Sequence, residues 1–186
     1  MKTYVALLRA INIGARNKIP MSGLKALFSD LGHEDVATYV QSGNVVFRSR
    51  AGIESRVAAE LEKQITKEFG HDVAVLLRTP AELAKIAKGN PFLKGETDHK
   101  KLHVMFLDKR PTAKAVAGLD LDRSPPDAFS VSGRDIYLHF PTRGSGRSKL
   151  TIGYFEGRLG VRGTARNWRT VTTLLELARQ ADGNSK

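Results

Sequence analysis

The chain reads as an α+β protein made of two ferredoxin-like β-α-β-β-α-β halves, an internal duplication with antiparallel sheets. Three observations predict this. The order of apolar periodicities over residues 3–89 recurs over 101–181. A Ser-Gly pair falls between the second and third strand segments of each copy, at Ser42-Gly43 and Ser132-Gly133. The chain has 186 residues and no cysteine, a length that buries a core without disulfides or metals.

In the first half, 3–9 carry Tyr4, Val5, Leu7 and Leu8 without helical spacing, as a strand buried on both faces does. Pro20 suits the first turn of a helix, with Met21, Leu24, Leu27, Phe28 and Leu31 as its apolar stripe and Gly32 as its stop. Val36–Val40 and Asn44–Phe47 form a hairpin over Ser42-Gly43, with Gly supplying positive φ. Ile53, Val57, Leu61, Ile65 and Phe69 recur every four residues along a second helix, which Gly70 ends before the strand Val73–Leu77. Thr79-Pro80-Ala81-Glu82 is a capping box opening a bridging helix.

The second half follows a polar linker at 94–101. Leu102–Leu107 is a strand, 112–119 a short helix, and Ala128–Val131 with Ile136–Phe140 a hairpin. A helix is predicted from Ser148 to Glu156 and a strand over Leu159–Arg162. Trp168, Val171, Leu174, Leu175 and Ala178 mark a closing amphipathic helix. The expected domains are 1–92, the first half with its bridging helix, and 100–182, the second half with the terminal helix.

Composition narrows function. The absence of cysteine excludes a thiol nucleophile, a disulfide framework and a thiolate zinc site. No apolar run approaches the roughly 20 residues of a membrane span, and the N-terminal stretch is a poor signal peptide, so a cytoplasmic location and no membrane partner are expected. The net charge is +11 and the pI about 10.1. Residues 143–169 alone carry Arg143, Arg147, Lys149, Arg158, Arg162, Arg166 and Arg169 against Glu156. Such a field concentrates anions, although a solubilising surface has the same composition.

Several long motifs then stand out: Tyr4–Gly14, Lys18-Ile19-Pro20-Met21, Thr38–Phe47, Ser148-Lys149-Leu150 and Thr164–Val171. They closely resemble the family known as domain of unknown function 1697. The resemblance implies a mixed α/β fold and a bacterial cytoplasmic protein, and it carries no activity. Ala10 and Ala15 stand where the family usually has Gly, which stiffens the first loop.

The candidate ligand-binding residues are Arg9, Asn12, Asn17, Gln41, Asn44, Arg143, Ser148, Lys149, Arg166 and Asn167. The first five sit on the loop after strand one and on the first hairpin, which are expected at opposite edges of their sheet. Arg143 to Lys149 is a basic Gly-rich loop running into a helix start, where backbone N–H groups can face an anion. Arg166 and Asn167 are expected in the first turn of the last helix, where a cation opposes the helix dipole and implies an anionic partner. Neither a Walker A loop nor a dinucleotide fingerprint is present, and no cofactor is expected. No Gly-x-Ser-x-Gly elbow occurs, and Ser148 and Lys149, being adjacent, do not face each other on a helix. His33, His71, His99, His103 and His139 form no metal-ligand pattern. The leading expectation is a phosphate-bearing small molecule or nucleotide bound by the basic loops. A sequence-nonspecific nucleic-acid binder and an enzyme of unidentified reaction stand beside it. Oligomeric state is not legible.

Overall fold

A computed structural model describes residues 1–14, 16–50, 54–142 and 144–183. The chain divides into two compact units, Met1–Lys85 with Thr173–Lys186, and Ile86–Thr172.

Unit 1 contains β1 (Lys2–Leu8), α1 (Met21–Asp30), β2 (Glu34–Tyr39), β3 (Asn44–Ser49), α2 (Glu54–Phe69), β4 (Val75–Arg78) and the start of α3 (Pro80–Gly89). Its antiparallel sheet has the order β2-β3-β1-β4, the ferredoxin-like arrangement. Strand alternation sends Tyr4, Ala6, Leu8, Val45, Phe47, Val75 and Leu77 into one core with Leu24, Leu27 and Phe28 of α1 and Val57, Leu61 and Ile65 of α2. The alternate residues Val5, Leu7, Val46, Leu76 and Arg78 are buried too. This two-sided burial explains why β1 reads as a continuous apolar run. Ile53 of the α2 stripe lies outside the described residues.

The punctuation of these elements is local chemistry. Gly32, at φ 79°, closes α1 while the His33 N–H reaches back to Phe28 O. At α3 the Thr79 N–H donates to Glu82 Oε2 (2.8 Å) and the Glu82 N–H to Thr79 Oγ1 (3.2 Å), the predicted capping box.

Unit 2 repeats the topology with β5 (Leu102–Leu107), α4 (Ala113–Ala117), β6 (Ala128–Ser132), β7 (Asp135–His139), α5 (Ile152–Leu159), β8 (Gly163–Asn167) and the opening turn of α6 (Trp168–Gly183). The sheet order is β6-β7-β5-β8, again antiparallel. Met105, Leu107, Ile136, Leu138, Phe155 and Leu159 form its core. On the other sheet face, the Tyr137 hydroxyl donates to Ile86 O at 3.1 Å, and its pKa is pushed up to about 12 by burial and by Asp135. The repeat extends to one unusual position. Arg78 pairs with Val5 and Arg166 with Val104, so both units hold a buried arginine at the same place in the edge strand.

Three local expectations are corrected. The first hairpin closes over four residues, because Tyr39 pairs with Asn44, whereas the second closes over Gly133-Arg134 alone. The fifth helix starts at Ile152, since the Thr151 hydroxyl accepts the Tyr154 N–H and caps it there. That helix continues through Leu159 and stops at left-handed Gly160. The last strand is therefore Gly163–Asn167 rather than Leu159–Arg162. Leu159 belongs to the helical stripe, and an apolar residue at a helix end has the same pattern as the start of a strand.

Candidate functional site

One end of the unit 2 sheet gathers several loops. Leu102 at the start of β5 pairs with His139 at the end of β7, and His103 pairs with Asn167 at the end of β8. The segment entering β5, the loop leaving β7 and the start of α6 therefore leave from the same sheet end. There, Thr97, Asp98, His99, Lys100, His103, Asn167, Trp168, Arg169 and Thr172 line an open groove of about 720 Å³. That volume suits a small-molecule ligand, since such pockets span roughly 300–1,000 Å³.

Each wall has a local cause. Asp98 Oδ1 accepts the Lys100 N–H (3.2 Å) and caps a single 3-10 turn, His99–Lys101. Glu96 Oε1 accepts the Asp98 N–H (2.9 Å). The Glu96 Oε2 atom lies 3.0 Å from His139 Nε2 and 3.3 Å from Lys101 Nζ. The hydrogen bond with His139, then that from Asp98, and further the Lys101 charge hold the Glu96 carboxyl down at about 2, against the opposing effect of burial. The stretch 94–101, read as a linker, is thus fastened to the sheet, and it holds Lys100 out to solvent. On the other wall, Asn167 Oδ1 accepts the Thr170 N–H at 2.8 Å and caps α6. Trp168 is buried and Arg169 exposed.

His103 is part of the same lining. Its ring packs edge-on against Phe140, with centroids 5.3 Å apart. Its Nδ1 is buried and has no hydrogen-bond partner among the described residues. Protonating both nitrogens would bury an unpaired N–H, so burial lowers the pKa of this histidine. The cheaper state is neutral, with the proton on Nε2 and the lone pair of Nδ1 inward.

The predicted residues fall into separate places. Arg166 and Asn167 are strand residues of β8, not the first turn of a helix. The helix starts one residue later because Asn167 caps it, and the argument from a cation opposing the dipole falls with that placement. Arg166 is 7% exposed, its Nη1 donating to Thr164 Oγ1 and Ala165 O, and burial lowers its pKa to about 10. Arg143 lies outside the described residues. The Gly-rich loop does not open a helix directly, because Ser148, Lys149 and Leu150 intervene before the Thr151 cap. Ser148 Oγ accepts the Leu150 N–H, Ser124 Oγ accepts the Lys149 N–H, and Arg123 Nε donates to Lys149 O. These bonds occupy the polar backbone there and leave the Lys149 ammonium at the surface.

In unit 1 the first loop and the first hairpin meet, contrary to expectation. Asn12 Nδ2 donates to Ile19 O (3.0 Å) and Gln41 O (2.9 Å), and Asn12 Oδ1 accepts the Ile19 N–H (2.9 Å). Asn17 Nδ2 donates to Ala10 O, and the Leu8 N–H to Gly43 O. Asn44 is fully buried and donates to Tyr39 O and Ser42 Oγ. Arg9 follows β1 directly, and its N–H donates to Ala74 O. The crossover helix returns the chain to the starting end, so β2 runs parallel to β1 and its hairpin lies where β1 ends. The asparagine amides here serve the loop's own backbone.

The groove residues His99, Lys100, His103, Arg169 and Thr172 are absent from the sequence-based candidates. In the sequence, His99 and His103 stand only among five histidines without a metal-ligand pattern, and Arg169 only in a run of basic residues. Pairing of β5 with β8 would have placed them together, but single-sequence periodicity does not yield strand partners. Among the described residues no group of three or more His, Asp or Glu side chains is placed to hold a metal. No helix among them is long and apolar enough to cross a membrane.

A comparison with curated proteins finds no match. The fold is similar to that of the conserved bacterial protein SP0830 from Streptococcus pneumoniae, with a TM-score of 0.72, 19% identity, and coverage of 95% of this chain and 98% of that one. At that identity the likeness speaks for the fold alone. Residues 1–137 match the family described as Protein of unknown function (DUF1697), a span that runs from β1 into β7 and stops short of α5, β8 and α6. The chain belongs to the DUF1697 family.

Proposed function

We propose that the protein binds a small phosphate-bearing molecule, of nucleotide size, in the unit 2 groove. The observation that supports this reading is the set of groups around one hollow. Lys100 and Arg169 contribute two exposed cations, His99 an exposed imidazole, and α6 the positive end of a 16-residue helix. The only carboxylate in the lining, Asp98, spends one oxygen on its own turn. Neutral His103 adds a hydrogen-bond donor on Nε2, suited to a phosphoryl or ribose oxygen. Relative to the sequence expectation, the site moves from the loops 143–149 and 164–167 to 97–103 and 167–172. Asn167 belongs to both.

Isothermal titration with inorganic phosphate, AMP and ATP tests this, using the wild type and the Lys100→Ala/Arg169→Ala variant. Binding of one nucleotide class, with a shallow salt dependence and at least a tenfold loss in the variant, is the expected result (about 1.4 kcal/mol). Absence of binding to all three ligands sinks the proposal. Binding only to a DNA or RNA oligomer, with a steep logarithmic salt slope, would replace it by a nucleic-acid surface.

A further inference from the structure

The end of unit 1 formed by the first loop and the first hairpin carries an unusual concentration of backbone strain. Ala10, Asn12, Asn17 and Val40 have φ of 54°, 54°, 47° and 51°, beside Gly14 at 59° and Gly43 at 75°. Asparagine tolerates this region, but Val40 does not, because its β-branch crowds the backbone there. The strain brings Val40 no burial, since it is 50% exposed. Ile13, on the adjoining loop, is 66% exposed. Their sequence neighbours Asn12 and Gln41 are hydrogen-bonded to each other. Two β-branched aliphatics therefore stand exposed on a tip whose backbone the Asn12 and Asn17 amides hydrogen-bond.

The charged side chains on the first loop and the first hairpin themselves have one sign, and the exposed Asp72, in the segment entering β4, is the acid nearest along the sheet end. Residues 1–29 contain Lys2, Arg9, Arg16, Lys18 and Lys25 and no Asp or Glu, and 36–47 contain no acidic residue either. Arg16 and Lys18 are exposed on the same loop as Ile13. A second copy of this end would meet it with like charge. A nucleic-acid strand would answer the cations but leave Ile13 and Val40 without an apolar counterpart, and neither residue offers a base a stacking face.

We propose that this tip is a docking surface for an acidic polypeptide segment carrying apolar side chains, which cover Ile13 and Val40 while its carboxylates meet Arg16 and Lys18. The strained, hydrogen-bonded backbone is the cost of presenting these side chains in the bound arrangement. The site lies wholly in unit 1 and does not depend on the groove.

The test uses three probes of matched charge: a Glu-Leu-Gly repeat peptide, a Glu-Ser-Gly repeat peptide and a dT oligonucleotide. Fluorescence anisotropy reads the affinities of the wild type, Val40→Asn and Ile13→Ser. The Glu-Leu-Gly peptide should bind about tenfold or more tightly than Glu-Ser-Gly, and either substitution should erase that preference. Val40→Asn should also raise Tm by about 2–4 °C, since Asn tolerates φ 51°. Equal affinity for the two peptides, or no binding to either, overturns the proposal. So does a fall in Tm for Val40→Asn, which would give Val40 a structural role. Oligonucleotide binding that is indifferent to both substitutions would assign the tip to nucleic acid instead.

Discussion

The two hairpins occupy the same place in the same topology, yet they are built differently. The β2–β3 hairpin spans Val40-Gln41-Ser42-Gly43 and is bonded to the first loop through Asn12 and to the end of β1 through Gly43 O, which accepts the Leu8 N–H. The β6–β7 hairpin turns on Gly133-Arg134, and nothing lies within 4 Å of where a Gly133 Cβ would sit. A two-residue turn needs only its own φ angles. The longer loop has to be held by the rest of the structure, and unit 1 supplies asparagine amides and a tight packing site for Gly43. The difference separates a turn set by local chemistry from one set by tertiary contact.

That comparison breaks most sharply at the two glycines. A Cβ on Gly43 would stand 2.7 Å from Ile11 Cδ1 and from Leu8 Cβ, at φ 75°. Gly43→Ala should cost about 3–4 kcal/mol, combining left-handed strain with overpacking. Gly133→Ala bears the φ cost alone, about 1–2 kcal/mol. Urea denaturation of both variants measures the gap, and equal losses would refute the distinction.

Asn12→Ala removes three hydrogen bonds and places Ala at φ 54°. It should destabilise by about 2–4 kcal/mol. In unit 2, Ser148→Ala, on the loop between β7 and α5, loses the bond from the Leu150 N–H and that to Ser124 Oγ, and should cost about 1 kcal/mol. Chemical denaturation ranks the pair, and a Ser148→Ala loss as large as that of Asn12→Ala would show the two loops equally dependent on tertiary contact.

A weaker probe is pH. Each unit holds one histidine discharged by burial against phenylalanine: His33 near Phe28 and Phe47, His103 near Phe140. Both have folded pKa values below the unfolded value of about 6.5, so the unfolded chain takes protons first as pH falls. Stability should drop as pH falls below about 6.5, and His103→Phe should flatten part of that slope. An unchanged slope in the variant would place the charge on a histidine that the fold accepts.

The smallest effect concerns Glu96, whose carboxyl is held at about 2. Its contribution is fully present above the ordinary carboxylate range and lost as pH falls through about 2. Glu96→Gln should shrink the acid-induced loss of stability between pH 4.5 and 2. It should also loosen the 97–100 wall and so weaken the phosphate-ligand binding proposed for the groove. Titration of Tm against pH for wild type and variant reads the first effect.

Much of the fold was legible along the chain. The stripes of α1, α2 and α6, the capping box at Thr79, the run of β5 and the repeated element order follow from side-chain period and backbone preference, which act within a few residues. So did the role of Trp168, buried at the head of its helix. The α5–β8 boundary was misread because Leu159 satisfies both periods. Arg166 was misplaced for a related reason, since the helix start depended on Asn167 serving as its cap.

The candidate site was much less legible. Charge pointed to 143–169, which shares only Asn167, Trp168 and Arg169 with the groove lining, while burial removed Arg166 from solvent and hydrogen bonds committed Ser148 to its own loop. What made a groove was the pairing of His103 with Asn167, two residues far apart in sequence. Composition, periodicity and turn chemistry are properties of short segments, and by themselves they determined the elements, their order and the basic character of the protein. Which residues the strand registers bring together, which cation stays in water, and that Asn12 closes a loop onto Gln41 were decided only in the tertiary structure. Those outcomes depend on burial and on long-range hydrogen bonds, which exist only once the sheets have formed.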